Sequence, residues 1–255
     1  MRVLLLALMG LLVVAGGALA LHGTTPATPS AGAGPALTGD KAAVGRIVRE
    51  YLLANPEVLV EAMQELEKKQ EAQREAQAGV AIRQYEGQLL RDPDSPVGGN
   101  PYGDVAIVEF VDYQCGYCKR AHAAVKAVLA ADPKVRVIYK DLPILGDASR
   151  VAALAALAAR PQGKYLAFHD ALMESRTQLD RTRILAIAES VGIDVARLEK
   201  DMQDPKVQQV IDRNMALANL LGVRGTPAFV VGRQFVPGAI DANALRQLIA
   251  EARRG

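Results

Sequence analysis

AIVEFVDYQCGYCK, residues 106–119, joins a short apolar, β-branched run to two cysteines that stand two residues apart. The run 106–111 reads as a buried strand, and the residues after it predict a helix from about Cys115 to Ala130. VRVIY, residues 135–139, reads as a second strand, so strand, helix and strand form a βαβ unit with a parallel pair. A long helical stretch follows at about 148–221, rich in alanine and leucine and punctuated by Pro161, Gly163, Gly192 and Pro205. Residues 228–231 and 234–236 then form two apolar runs linked by Gly232-Arg233, a hairpin link with glycine first as a type II′ turn prefers. Asp241 is placed to cap a last helix that runs to Ala252.

Cys115 and Cys118 are the only 2 cysteines in 255 residues. A structural disulfide here would close so small a loop that it would hardly constrain the unfolded chain. Zinc needs four ligands, the chain has 3 histidines, and His22 lies near the N-terminus, so only His122 and His169 remain to join the cysteines. That spacing advertises no site, and no metal is expected. A c-type haem needs histidine directly after the second cysteine, where this chain has Lys119. Thiol chemistry remains. At the strand-to-helix junction the Cys115 sulfur can meet the unpaired N–H groups and positive end of the helix, which stabilise a thiolate. Cys118, three residues on and one turn in, is the one expected to be more buried. Lys119, Arg120 and His122 either add positive potential or form an ordinary solvated helix face.

Outward from this centre the composition changes. DPDSPVGGNPYGD, residues 92–104, is a cluster of turn formers that marks the start of the main domain. Before it, Asp40 can cap a helix with Val44, Ile47, Val48, Tyr51 and Leu52 at three- and four-residue spacing. Asn55-Pro56 breaks that helix and is placed to cap and start another, which carries Leu59, Met63 and Leu66 and then turns highly charged over 68–77. About 45 residues make a poor core alone, so residues 40–91 are expected to be an oligomerisation segment and linker, the alternative being packing against the main domain. Residues 21–39 are rich in Pro, Gly, Ala and hydroxyls and read as a flexible tether. Residues 1–20 begin with Arg2, an apolar run and an A-x-A pattern at Ala18-Leu19-Ala20, which read as an export signal; an uncleaved membrane anchor is the alternative. Either places the body outside the cytoplasm, where disulfides persist. A net charge of +2, from 30 basic and 28 acidic residues, argues against a nucleic-acid partner.

EFVDYQCGYCK in a βαβ context, with GTPAFVVG late in the chain, resembles the DsbA-like thiol–disulfide oxidoreductases of the bacterial envelope. The resemblance covers 92–255 and implies an α/β thioredoxin fold with an inserted helical subdomain, preceded here by the N-terminal helical segment. It implies Cys115 as nucleophile, Cys118 as resolving cysteine, a redox-active Cys115–Cys118 disulfide in place of any cofactor, and Pro227 as a cis-proline. Thr226, Pro227 and Tyr117 then face substrate. Glu109 matches an acid beneath the active site, where a buried carboxylate would have a raised pKa and pass protons to and from Cys118.

YLLANPEVLVEAMQELE, residues 51–67, is similar to the N-terminal region of ScsC-like envelope proteins, in which it drives oligomer formation. Gly116-Tyr117 between the cysteines lacks the histidine of strongly oxidising members, and Thr226 is similar to the isomerases. The resemblance therefore implies a periplasmic isomerase or reductase acting on unfolded or misoxidised secreted proteins, as a homo-oligomer served by a membrane thiol–disulfide redox partner. A dithiol oxidase, or a copper-binding protein using the paired thiolates, is the alternative.

Overall fold

The computed structural model describes residues 40–254, which divide into two units between Val58 and Leu59. The expected signal peptide and tether lie outside the described residues. Among the described residues, no helix is long and apolar enough to cross a membrane.

In the first unit, α1 (Lys41–Ala54) starts on Asp40, whose Oδ1 accepts from the Ala42 N–H at 3.0 Å. Asn55 does not cap the next helix as expected. Its Nδ2 donates to the Tyr51 carbonyl at 2.9 Å and closes α1 instead. Ile47, Val48 and Tyr51 are exposed.

The second unit contains nearly all of α2 (Glu57–Gln84), in which residues 59–77 are exposed throughout and Ala78 and Ile82 are buried. A break at Tyr85 separates α2 from the short α3 (Glu86–Leu90). The strands and helices that follow are β1 (Val97–Gly99), β2 (Val105–Val111), α4 (Gly116–Ala131), β3 (Val135–Asp141), α5 (Asp147–Ala158), α6 (Tyr165–Glu174), α7 (Arg181–Ser190), α8 (Val195–Asp201), α9 (Pro205–Leu220), β4 (Ala228–Val231), β5 (Gln234–Pro237) and α10 (Ala242–Ala252). The sheet order is β1-β3-β2-β4-β5, with β2 and β3 parallel and the other pairs antiparallel. Aspartates 180, 194 and 204 each cap a helix of the insertion, accepting the N–H groups of Arg183, Arg197 and Lys206.

Both sheet faces are covered, which is why the central strands read as continuous apolar runs. One face carries Val105, Ile107, Val111, Val135, Val137, Phe229 and Val231 against α4, α10 and the helical insertion. The other carries Val108, Phe110, Ile138, Ala228 and Val230 against Ile82, Leu89 and the end of α9. The core therefore reaches back past the boundary expected at Asp92. Lys140, buried at the end of β3, fastens this region: its Nζ donates to Gln88 O at 2.7 Å, Asp92 Oδ2 at 3.0 Å and Ser95 Oγ at 2.7 Å.

β1 falls inside the turn-former cluster and was not expected. Its glycines hide it, yet they are there for close packing: at Gly99, with φ 74°, a Cβ would stand 2.6 Å from the Val135 carbonyl oxygen. The Gly232 φ of 59° meets the positive value that the β4–β5 link demands.

Candidate active site

The β2-to-α4 junction places Cys115 as the N-cap of α4, in extended backbone conformation. Asp112 builds that junction. Its Oδ1 accepts from the Gln114 N–H at 2.8 Å, its Oδ2 from the Ile144 and Leu145 N–H groups, and its carbonyl from the Cys115 N–H at 3.1 Å.

The Cys115 sulfur accepts from the Cys118 N–H at 3.4 Å, and its S–H donates to the Thr226 carbonyl at 3.1 Å. An N–H at the helix start is the partner that a thiolate needs. Cys115 retains 6% exposure and Cys118 none, in the order the helical spacing predicts. Both are free thiols, and burial pushes the Cys118 thiol far above its ordinary range. The Thr226–Pro227 peptide bond is cis, with Pro227 buried beside the half-buried Thr226. Tyr117, 61% exposed, lies under the Arg120 guanidinium at 4.1 Å from the ring centre. Four of the expected residues, Cys115, Cys118, Thr226 and Pro227, are thus brought together, with Tyr117 on the surface next to them.

Glu109 lies in the middle of β2. Strand alternation puts it on the α4 side of the sheet with Ile107 and Val111, and it is 2% exposed with Oε2 unpartnered. Burial, reinforced by the Asp141 carboxylate, raises it to about 8. Asp141 is itself raised to about 7, chiefly by burial. The perturbing neighbour of Glu109 is therefore an acid at the end of β3, and neither cysteine is among the groups that shift it.

That second acid opens a group the sequence left unassigned. Tyr165 Oη donates to Asp141 Oδ2 at 3.0 Å, Tyr113 Oη donates to Tyr165 Oη at 3.3 Å, and Tyr113 Oη lies 3.1 Å from His169 Nδ1. His122, on α4 one turn beyond Cys118, is also buried and meets the His169 ring at 5.3 Å between centres. The solvated-face reading fails for His122 because α6 covers that side of α4. It fails for Lys119 too, whose Nζ donates to the Ser175 carbonyl at 2.7 Å. Two histidines 47 residues apart carry no sequence signal that they meet; only the packing of α6 on α4 brings them together.

A reduced cysteine pair at a helix start, faced by a cis-proline loop on a five-stranded mixed sheet, defines the thioredoxin-fold thiol proteins as a class. Within it, the chain belongs to the DsbA-like thioredoxin-domain family, which it matches over residues 106–250. Residues 40–73 match the N-terminal domain of the copper resistance protein ScsC. Among solved structures, a thioredoxin-like oxidoreductase from Silicibacter pomeroyi is 49% identical, covering 66% of this chain and 98% of that one, with a TM-score of 0.65. A linker-deletion mutant of Proteus mirabilis ScsC is 30% identical over 88% of this chain and 99% of that one, also at 0.65. Among curated relatives, a Na+/H+ antiporter of Salinispora tropica is 31% identical over 63% of this chain, and the chain spans only 25% of that protein's length.

Proposed function

We propose that this oxidoreductase is a periplasmic disulfide isomerase or reductase that works on exported proteins through a Cys115 mixed disulfide. The observation that carries this reading is the seat of the Cys115 sulfur, between the Cys118 N–H and the Thr226 carbonyl, with Cys118 wholly buried behind it. The Cys115 thiolate attacks one sulfur of a client disulfide, forming a Cys115–client disulfide and releasing the other client sulfur as a thiolate that takes up a proton. In isomerisation a different client thiolate attacks the client sulfur of that mixed disulfide. Cys115 leaves as a thiolate, and no electrons are gained or lost overall. In reduction the Cys118 thiol gives up its proton and attacks the Cys115 sulfur. The client leaves as a dithiol, two electrons richer, and the enzyme keeps the Cys115–Cys118 disulfide until an external dithiol, the expected membrane partner, reduces it.

The high pKa of Cys118 supports this division of labour. A thiol that stays protonated is slow to resolve the mixed disulfide, which leaves time for shuffling. Gly116-Tyr117 adds no charge to stabilise the thiolate further, consistent with a milder oxidant. The ScsC-type segment supports assembly: Ile47, Val48 and Tyr51 of α1 are exposed, as are Leu59, Val60, Met63 and Leu66 of α2, and a second copy is the economical cover for each of these stripes.

The test is refolding of scrambled ribonuclease by the purified protein. Recovery of ribonuclease activity, lost in Cys115→Ser, together with mixed disulfides that accumulate in Cys118→Ser, sustains the reading. Oxidation of a reduced peptide without any shuffling assigns the protein as a dithiol oxidase instead.

A further inference from the structure

We propose that His122, His169 and Asp170 form a binding site for one divalent transition-metal ion of the zinc type, distinct from the cysteine pair. One donor atom from each of the three lies within 4.8 Å of the others. Two imidazoles and a carboxylate are a donor set that suits zinc and its neighbours.

With the Asp141 carboxylate ionised, the hydrogen bonds around His169 decide which ring nitrogen is available. The Asp141 carboxylate accepts from Tyr165, whose oxygen accepts from Tyr113. With its proton committed to Tyr165, the Tyr113 oxygen accepts from His169, so Nδ1 carries the hydrogen and Nε2 the lone pair. His169 is 1% exposed, and Nε2 has no partner. A buried imidazole lone pair without a donor is a costly group to leave empty-handed. A histidine held through one nitrogen by an oxygen, with the other nitrogen free, is also the usual arrangement of a metal ligand and its outer support.

His122 supplies the second donor. Its Nε2 is likewise buried and unpartnered, 3.5 Å from Asp170 Oδ1 and 4.0 Å from Glu174 Oε1, both beyond a good hydrogen bond. A tetrahedral ion with donors at about 2.1 Å sets them about 3.4 Å apart, so the cluster must contract by roughly 1.4 Å from its 4.8 Å span. Asp170 is the group free to move, being partly exposed on α6, and Glu174 one turn on can complete the shell. The competitor already present is Lys126, whose Nζ stands 3.5 Å from Asp170 Oδ2 and 2.7 Å from Glu174 Oε1. An arriving cation must displace that ammonium.

The experiment uses the full chain carrying Cys115→Ser and Cys118→Ser, which removes the soft thiolates as rival ligands. Zn2+ is titrated calorimetrically and Co2+ by its visible absorption. One equivalent is expected, with the absorption of a four-coordinate Co2+ complex. Asp170→Asn and His122→Gln should each weaken Zn2+ binding by at least about tenfold, the loss that even an outer partner of a metal ligand causes. Lys126→Gln should tighten it. Melting curves without metal verify that each variant is folded, and His169 itself is left unchanged because it is fully buried. No Zn2+ uptake by the double-serine protein, or uptake that survives unchanged in both Asp170→Asn and His122→Gln, overturns the site.

Discussion

Residues 41–77 and residues 78–254 use the same apolar vocabulary with opposite results. Leu59, Met63 and Leu66 recur at helical spacing and remain at least half exposed, whereas Phe110, Ile138 and Phe229 are all but completely buried. Leu59 to Gln77 touches no core residue closely enough to bury even one side chain, while every long element from Val105 onward contributes to one of two clusters. Amphipathic periodicity thus states that a face needs cover, and only the rest of the fold states whether the chain supplies it. The catalytic part is self-sufficient. The N-terminal segment leaves its apolar residues exposed.

The comparison makes Phe110→Ala the most damaging substitution, about 4 kcal/mol of lost stability in a urea melt, because its site is sealed on the α3 and α9 side of the sheet. Asp92→Ala comes next, at about 3 kcal/mol, since it leaves the Lys140 ammonium 1% exposed with its one carboxylate partner gone. If this loss were absent, the region before Val97 would belong with the N-terminal segment after all.

Glu109→Gln acts through pH. The folded protein holds the Glu109 proton up to about 8, whereas the unfolded chain releases it near the ordinary carboxylate value, so folded stability falls as pH rises between the two. The variant should gain stability relative to the parent by a few kcal/mol at most, at pH 8.5 but not at pH 4, as read from paired denaturant melts. A parent and variant that track each other across that range would mean Glu109 is solvated. Leu59→Ala with Met63→Ala is the smallest in the melt, within about 0.5 kcal/mol for the catalytic unit, as exposed positions behave. The same pair should yield a monomer in light scattering if the proposed homo-oligomer forms through this segment. A melt shifted as far as by Phe110→Ala would erase the contrast between the two regions.

Legibility followed the same line. Strands at 106–111 and 135–139, the helix after Cys115, the closing hairpin and the last helix were readable because each has one dominant period bounded by a clear break. β1 was not, since Gly98 and Gly99 are placed by the crowding of Tyr139 and Val135, which lie some 40 residues on in sequence. The cysteine pair and Thr226-Pro227 were legible as motifs. Glu109 was legible only through the family resemblance, and its neighbour Asp141 was not legible at all. A carboxylate at a strand end looks solvated until α6 brings Tyr165 over it.

By itself, then, the sequence determined the βαβ core, the thiol character of CxxC and the apolar stripes of the N-terminal helices, all consequences of local spacing. Tertiary structure alone decided that Cys115 faces Thr226, that the core begins before Asp92, and that His122 and His169 meet under α6. These depend on contacts between residues as much as 111 positions apart, and no local period encodes such contacts because they arise only when separate faces are buried together.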